Sequence, residues 1–443
     1  MPSWAPGLPD TGLDGWLAHL EALHPRGSAG IELGLERVVA VKSRLGQRET
    51  CPVILVGGTN GKGSTCAMLE RILLAAGYRV GLYTSPHLLH YNERVRINGV
   101  AADDASLCAA FARVEQARGD AALTYFEFGT LAAWEAFAAA DLDAIVLEVG
   151  LGGRLDATNI YQPACAVVTG VDFDHMDFLG ADREAIGREK AGIFRSGIPA
   201  ICGDPQPPHS LTDHAAAIGA RLQVLGRDFG YLKQEQQWLY WRRPTSELEA
   251  RGAAEAIRRG GLAFPALRGE RQLANAACAL AVLDALHLHL PVAMQDIRQG
   301  LGAVELAGRF QILPGRPAVV LDVAHNPQAA RVLAANLGDM GFYRHTWAVF
   351  GMLADKDIDG VIDAIGERVT HWLPCTLEGR RAASADFLAG RLQSRGMKVA
   401  GVFAAPAAAL AFAQENAGED DRILAFGSFL TVAAALQALG RTA

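Results

Sequence analysis

The stretch Val53-Ile54-Leu55-Val56-Gly57-Gly58-Thr59-Asn60-Gly61-Lys62-Gly63-Ser64-Thr65 places one lysine, followed closely by two hydroxyls, in a glycine-rich turn. Glycines let backbone N–H groups converge on phosphate oxygens without Cβ clashes, and a lysine ammonium reaches the terminal phosphates. Ser64 or Thr65 can then help hold a magnesium ion. The commoner phosphate loop puts Ser or Thr directly after its lysine, whereas Gly63 stands there here, so this loop is a variant.

Other chemistry-bearing groups recur just after apolar runs. Glu148 lies near the end of the run Asp143–Gly150, which leads into Leu151-Gly-Gly-Arg154-Leu155-Asp156-Ala157-Thr-Asn159. A carboxylate at a strand tip beside a phosphate loop can hold magnesium directly or through water. Thr84-Ser85-Pro86-His87 and Glu93-Arg94-Val95-Arg96 follow Val80–Tyr83, where ligands bind in open α/β sheets; His87 taken alone reads as a surface residue. Asp172-Phe-Asp174-His175 and, further on, Lys190 follow Ala166–Thr169, and Asp322-Val-Ala-His325-Asn326-Pro327 follows Ala318–Leu321.

These residues require strands to present them. An apolar strand, the loop and a helical pattern from Cys66 to Ala76 imply an α/β fold built on a mainly parallel sheet with flanking helices. Trp16–Leu23 and Leu35–Leu45 read as two helices ahead of it, and Leu123–Phe128 opens a helix that runs through Phe137. Gln272–Leu283 and Pro291–Gly302 are helical, and residues 220 to 270 read as short strands such as Trp238–Trp241. A second βα alternation, with strands at Ala318–Asp322, Trp347–Gly351, Val399–Phe403 and Ile423–Gly427, predicts a smaller Rossmann-like α/β domain. The expected division is 1–303, a linker at 304–314, and 315–443.

Composition narrows the function. A chain of 443 residues that is 50% hydrophobic has material for two or three domains. A net charge of −7 with interspersed signs argues against a nucleic-acid surface, and no segment reads as a signal peptide or a membrane span. The seven cysteines are scattered without a CxxC pair, which fits a reducing cytoplasm. Oligomeric state is not readable from the pattern; a monomer is the working expectation.

The order of these motifs, from Leu20 to about Val432, resembles the Mur ligase superfamily in its folylpolyglutamate synthase and dihydrofolate synthase branch. The resemblance implies a bifunctional, ATP-dependent ligase. It would add L-glutamate to dihydropteroate and to tetrahydrofolate and its polyglutamates through an acyl phosphate, in an ATP-binding domain and a glutamate-ligase domain. It implies that Thr59, Asn60, Gly61, Lys62, Gly63 and Ser64 bind ATP together with Asn275, Arg309 and Asp322. Two magnesium ions would be held by Ser64, Ser85, Glu148, His175 and Lys190, the last only as a carbamate, because an ammonium cannot ligate a cation; unmodified, Lys190 would instead pair with an acid.

For the acceptor, the resemblance implies Ile31, Glu32, Leu33, Phe126 stacked on the pterin, Leu155, Asp156 and Ala157. His325 and Ser428 would bind the incoming glutamate side. Lys62, Asp156, Lys190 and His325 are the implied catalytic groups. The chain departs from the commoner ending, in which a histidine follows Gly-Ser-Phe, since Leu430 stands there. A muropeptide ligase would share the loop but place a UDP-sugar domain before it, and only about fifty residues precede it here.

Overall fold

A run that is apolar on both faces belongs at the centre of a parallel sheet, and Val53–Gly57 (β1) is buried at every position. The computed structural model describes residues 12–24, 32–244, 257–269, 271–379 and 381–441. Helices Gly12–Leu23 (α1) and Glu36–Leu45 (α2) precede β1, and Lys62–Ala75 (α3) follows it. Then come Val80–Tyr83 (β2), Val95–Ile97 (β3), Val100–Ala101 (β4), Asp104–Arg118 (α4), Tyr125–Ala138 (α5), Ala144–Glu148 (β5) and Cys165–Val168 (β6). Met176–Leu179 (α6), Arg183–Ala191 (α7), Pro199–Cys202 (β7), His209–Ile218 (α8) and Arg221–Val224 (β8) complete a sheet of order β4-β3-β2-β5-β1-β6-β7-β8. Strands β2 to β8 in this order run parallel, and β3 and β4 add an antiparallel edge beside β2.

Within the stretch 220 to 270, expected as short strands, the described residues do form strands. Phe229–Lys233 (β9), Trp238–Arg242 (β10) and Ile257–Leu262 (β11) make a separate antiparallel sheet. Its anchor is Asp284 on the helix Arg271–Ala285 (α9), which accepts a hydrogen bond from the Tyr240 hydroxyl at 2.9 Å and pairs with Arg259 at 2.5 Å. Met294–Gly302 (α10) packs on α3.

The chain divides into two units, Met1–Phe264 with Ala274–Ala303 and Pro265–Leu273 with Val304–Ala443. The stretch 304–314, expected as a linker, is not an open connector. Gln311–Leu313 (β12) pairs antiparallel with Ala318–Asp322 (β13), and Phe310 is buried in the second core. The second sheet has the order β12-β13-β16-β14-β15, with Thr346–Phe350 (β14), His371–Pro374 (β15) and Arg422–Phe426 (β16). Its helices are Pro327–Asp339 (α11), Ile358–Ile365 (α12), Ala385–Gln393 (α13), Pro406–Asn416 (α14) and Phe429–Ala438 (α15).

Val399–Phe403, expected as a strand, makes only two isolated parallel bridges, Val399 to Trp372 and Phe403 to Cys375. The reason is local. Lys398 and Ala400 bond Trp372, and Phe403 bonds Pro374 and Thr376, but the Phe403 ring folds back over Gly401 and the ladder breaks between them.

At the start of β15, His371 stacks on Trp347 with ring centroids 4.0 Å apart, and the Lys398 ammonium lies 2.9 Å from its Nε2. Burial, then Lys398 and His345, lower its pKa from 6.5, so the folded protein binds fewer protons here than the unfolded chain. Acidification through 6.5 and below therefore favours unfolding. Melting temperatures from pH 7.5 to 5 should fall more gently in His371→Gln than in the parent protein, and equal slopes would rule this group out as a contributor.

Candidate active site

Register aligns the carboxyl ends of four parallel strands in the first unit. Val56 lies opposite Glu148, Gly57 opposite Val168, and Tyr83 opposite Leu147. The phosphate loop, Glu148, the Ser85 segment and the 169–175 segment thus share one sheet edge, the edge at which α/β sheets bind ligands.

The loop is held from below by Thr169, whose hydroxyl donates to the carbonyls of Gly57 at 3.2 Å and Asn60 at 2.8 Å. Thr59 accepts from the Asp172 N–H at 3.0 Å. Two glycines make this approach possible. A Cβ on Gly58, at φ +138°, would lie 2.0 Å from the Thr169 hydroxyl, and one on Gly61, at φ +94°, 2.4 Å from Asn275 Oδ1. Asn275, near the start of α9, therefore buttresses the loop. Gly61→Ala should weaken ATP binding about 10- to 100-fold through strain and displacement of Asn275, measurable by calorimetry with a nonhydrolysable analogue. Lys62 Nζ bends back onto the carbonyls of Gly58 at 3.1 Å and Thr59 at 3.2 Å, and Gly63 and Ser64 are buried in the first turn of α3.

Glu148 is buried and accepts from the Ser85 N–H at 3.1 Å, bringing two of the expected metal ligands together. Lys190, on α7, is buried with its pKa lowered to about 7, first by desolvation and next by Lys62, while Asp174 and Asp156 oppose the shift. An amine in that range is partly neutral near pH 7, and the neutral form is the one that combines with carbon dioxide. His175 has a left-handed backbone, φ +50°, ahead of α6, and its Nε2 is 3.9 Å from Asp174. Among the described residues no three His, Cys, Asp or Glu side chains form a metal cage. The oxygen donors present suit magnesium, which takes one or two carboxylates and completes its shell with phosphates and water.

Of the residues expected at the acceptor, Phe126 lies on α5 with its ring against Gly150 and 5.9 Å from the Tyr83 ring. Asp156 is buried, and desolvation raises its pKa. Its carboxylate accepts from Leu151 N–H at 2.9 Å, Thr158 N–H at 2.9 Å and the Thr158 hydroxyl at 2.6 Å. That carboxylate shapes the loop holding Leu155 and Ala157. Ile31 lies outside the described residues. Glu32 is tied by Arg37, which pairs with Glu32 at 2.5 Å and with Glu127 at 2.8 Å, while Glu127 caps α5 with Thr124. This bridge joins the segment of Glu32 and Leu33 to the helix of Phe126. Sequence reading missed it because its members are far apart in the chain.

His87 is not the surface residue that its context suggested. It is largely buried, accepts from Arg94 Nε at 2.8 Å, and has its pKa lowered to about 4 by burial and then by Arg94. A groove of about 740 Å³ near Arg44, Arg48 and Arg113 lies by the start of β1, but Arg44 is engaged with the carbonyls of Ala117 and Arg118, and Arg113 with Glu135.

In the second unit, Asp322, His325 and Ser428 meet at the carboxyl edge, Asp322 lying opposite Phe426. Asp322 accepts from Phe310 N–H and Ala324 N–H, both at 2.8 Å, and its pKa is raised by burial. It thereby fixes Arg309, whose guanidinium sits 5.3 Å from the Phe429 ring, itself 6.2 Å from the His325 ring. His325 donates Nδ1–H to the Val323 carbonyl at 2.8 Å. Ser428 caps α15 through the Thr431 N–H, and Leu430 beside it is exposed.

Residues 56–283 match the Mur ligase middle domain and residues 308–429 the Mur ligase glutamate ligase domain. The dihydrofolate synthase/folylpolyglutamate synthase of Escherichia coli K12 is 45% identical over 428 residues, 96% of this chain and 95% of that one. The chain belongs to the dihydrofolate synthase/folylpolyglutamate synthase family of Mur ligases. A solved structure of E. coli FolC in complex with DHPP and ADP has a TM-score of 0.89 at 44% identity, covering 98% of both chains. A bifunctional folylpolyglutamate synthase/dihydrofolate synthase with Mn, AMPPNP and L-glutamate bound has a TM-score of 0.87 at 45% identity, covering 98% of this chain and 100% of that one. The two α/β sheets are thus those of the synthase family. No helix among the described residues is long and apolar enough to cross a membrane.

Proposed function

We propose that the chain is an ATP-dependent ligase that joins L-glutamate to dihydropteroate, forming dihydrofolate, and to tetrahydrofolate, extending a γ-linked glutamate chain, with release of ADP and phosphate. The observation that carries the reading is the register that puts the phosphate loop and Glu148 on one row of strand ends. The buried Lys190, whose pKa Lys62 helps to depress, supports it.

Joining a carboxylate to an amine is uphill in water, so the carboxylate must become a better electrophile. An acceptor carboxylate oxygen attacks the γ-phosphorus of ATP; the new O–P bond forms as the bond to ADP breaks. The glutamate nitrogen then attacks the acyl carbon, loses a proton, and phosphate leaves. Lys62 and the loop N–H groups neutralise charge on the transferring phosphoryl group, and Arg309 is the further cation that the family pattern assigns to the nucleotide. Lys62 gives up its two loop carbonyls when phosphate arrives. Phe126 supplies a flat face for the pterin, beside the loop that Asp156 shapes. His325, its Nδ1 committed to the Val323 carbonyl, is the group that would meet the incoming glutamate, and Ser428 orders the helix start beside it. Ser64, Ser85, Glu148, His175 and a Lys190 carbamate would hold two magnesium ions, which lower the repulsion between two anions and polarise the phosphoryl oxygens.

The free cysteines and the soluble chemistry of the substrates suit a cytoplasmic monomer. ADP release with ATP, magnesium and L-glutamate, comparing dihydropteroate with tetrahydrofolate, tests the assignment. Turnover of both is expected. Turnover of tetrahydrofolate alone would restrict the enzyme to chain extension, and turnover of neither would overturn the folate assignment.

A further inference from the structure

The segment between Ser85 and Arg94 is a closed loop. Its neck is the bond from Thr84 N–H to the Arg94 carbonyl at 2.9 Å, and Glu93 fills the interior by accepting from the N–H groups of Leu88, Leu89 and His90. Arg94 closes the loop from the other side. Its Nε donates to His87 Nδ1, two residues from Ser85, and Ser85 is in turn bonded through its N–H to Glu148.

The same guanidinium faces the opposite way too. It lies 5.4 Å from the Tyr91 ring and 5.5 Å from the Tyr125 ring, within cation–π range of both. Tyr125 opens α5 and is the neighbour of Phe126, while Tyr91 packs so closely on α5 that a Cβ on Gly129 would sit 2.6 Å from its hydroxyl. One side chain therefore touches the loop of a proposed metal ligand and the helix of the proposed pterin platform. Lysine could not substitute, since a point charge cannot both bond His87 along one edge and present a flat face to two rings.

We propose that Arg94 is a positioning residue that keeps the Ser85 loop and the Phe126 platform in register, so that binding of the pteroate acceptor and binding of magnesium at the Ser85 side are coupled through it. The inference rests on the ligase reading above.

The test uses the full chain and two binding measurements: Mn²⁺ titration in the presence of AMPPNP, and dihydropteroate binding with and without Mg²⁺. In Arg94→Gln both affinities should weaken about tenfold, as displacement of positioned groups by a fraction of an ångström does, while AMPPNP affinity without metal stays within about twofold. Arg94→Lys should resemble Arg94→Gln rather than the parent protein. Magnesium should tighten dihydropteroate binding in the parent protein and cease to do so in either variant. A folded Arg94→Gln with either affinity unchanged overturns the linkage. If that variant does not fold, His87→Asn should weaken Mn²⁺ alone and Tyr125→Leu dihydropteroate alone, and the absence of either effect overturns it equally. Absence of ADP release by the parent protein with dihydropteroate would instead count against the ligase reading, and the Mn²⁺ titrations separate the two failures.

Discussion

Lys190→Ala should lower turnover about a thousandfold, the scale on which loss of a preorganised charged group acts at a transition state. The chemistry behind this is specific. In the proposed mechanism the neutral amine would attack carbon dioxide, form an N–C bond and lose a proton, leaving a carbamate that could ligate a cation. Ordinary lysine is almost wholly ammonium near neutrality, whereas here desolvation and Lys62 bring the pKa to about 7. The sign follows directly. Above about 7 the amine is free to react, and below it protonation removes the nucleophile, so activity should fall on the acid side and in buffers stripped of carbon dioxide. Alanine leaves a space beside Lys62 that a small carboxylate can enter. Formate or acetate should restore part of the lost activity in Lys190→Ala but not change the parent protein. A carbonyl signal from ¹³C-labelled bicarbonate, present in the parent and absent in the variant, would identify the carbamate. Turnover of Lys190→Ala within tenfold of the parent would falsify the role.

Glu148→Gln is expected to cost a comparable factor, about 10² to 10³ in kcat, with a higher magnesium requirement. The substitution separates charge from shape. The glutamine Oε1 can still accept the Ser85 N–H that Glu148 accepts at 3.1 Å, so the loop should keep its path. Thermal stability should stay close to that of the parent protein, because glutamine keeps the size of the side chain and the accepted Ser85 bond. A large fall in melting temperature with normal magnesium dependence would mean that Glu148 serves the fold and not the metal.

The parts legible in the sequence were those whose signals are local. The phosphate loop is a contiguous strand, glycine turn and helix start, and its α/β setting follows from apolar runs ending in Glu148 and Asp322. What the chain order hid were pairings between distant residues. Arg37 with Glu127, Arg94 with His87, and Asn275 against Gly61 each join segments that no short window contains. His87 illustrates the limit well. Its neighbours are polar enough to suggest exposure, and only the folded path of residues 84 to 94 brings Arg94 over it. The strand inside 304–314 was hidden for a related reason: β12 is three residues long and gains its ladder only from β13. Val399–Phe403 failed oppositely, since its apolar residues carry strand propensity but a ring folded over Gly401 interrupts the pairing.

The place of β1 between β5 and β6 has a consequence for how the protein is made. Val53 pairs with Ile145, and Ile54 with Cys165, so neither neighbour of β1 exists when β1 leaves the ribosome. Its apolar backbone must wait while α3 to α5 are synthesised, and non-local parallel pairing of this kind is slow. The nascent chain is therefore most exposed to aggregation between the emergence of residue 57 and that of residue 168. Pauses in translation placed after residue 168 should raise the soluble yield more than pauses placed before residue 144.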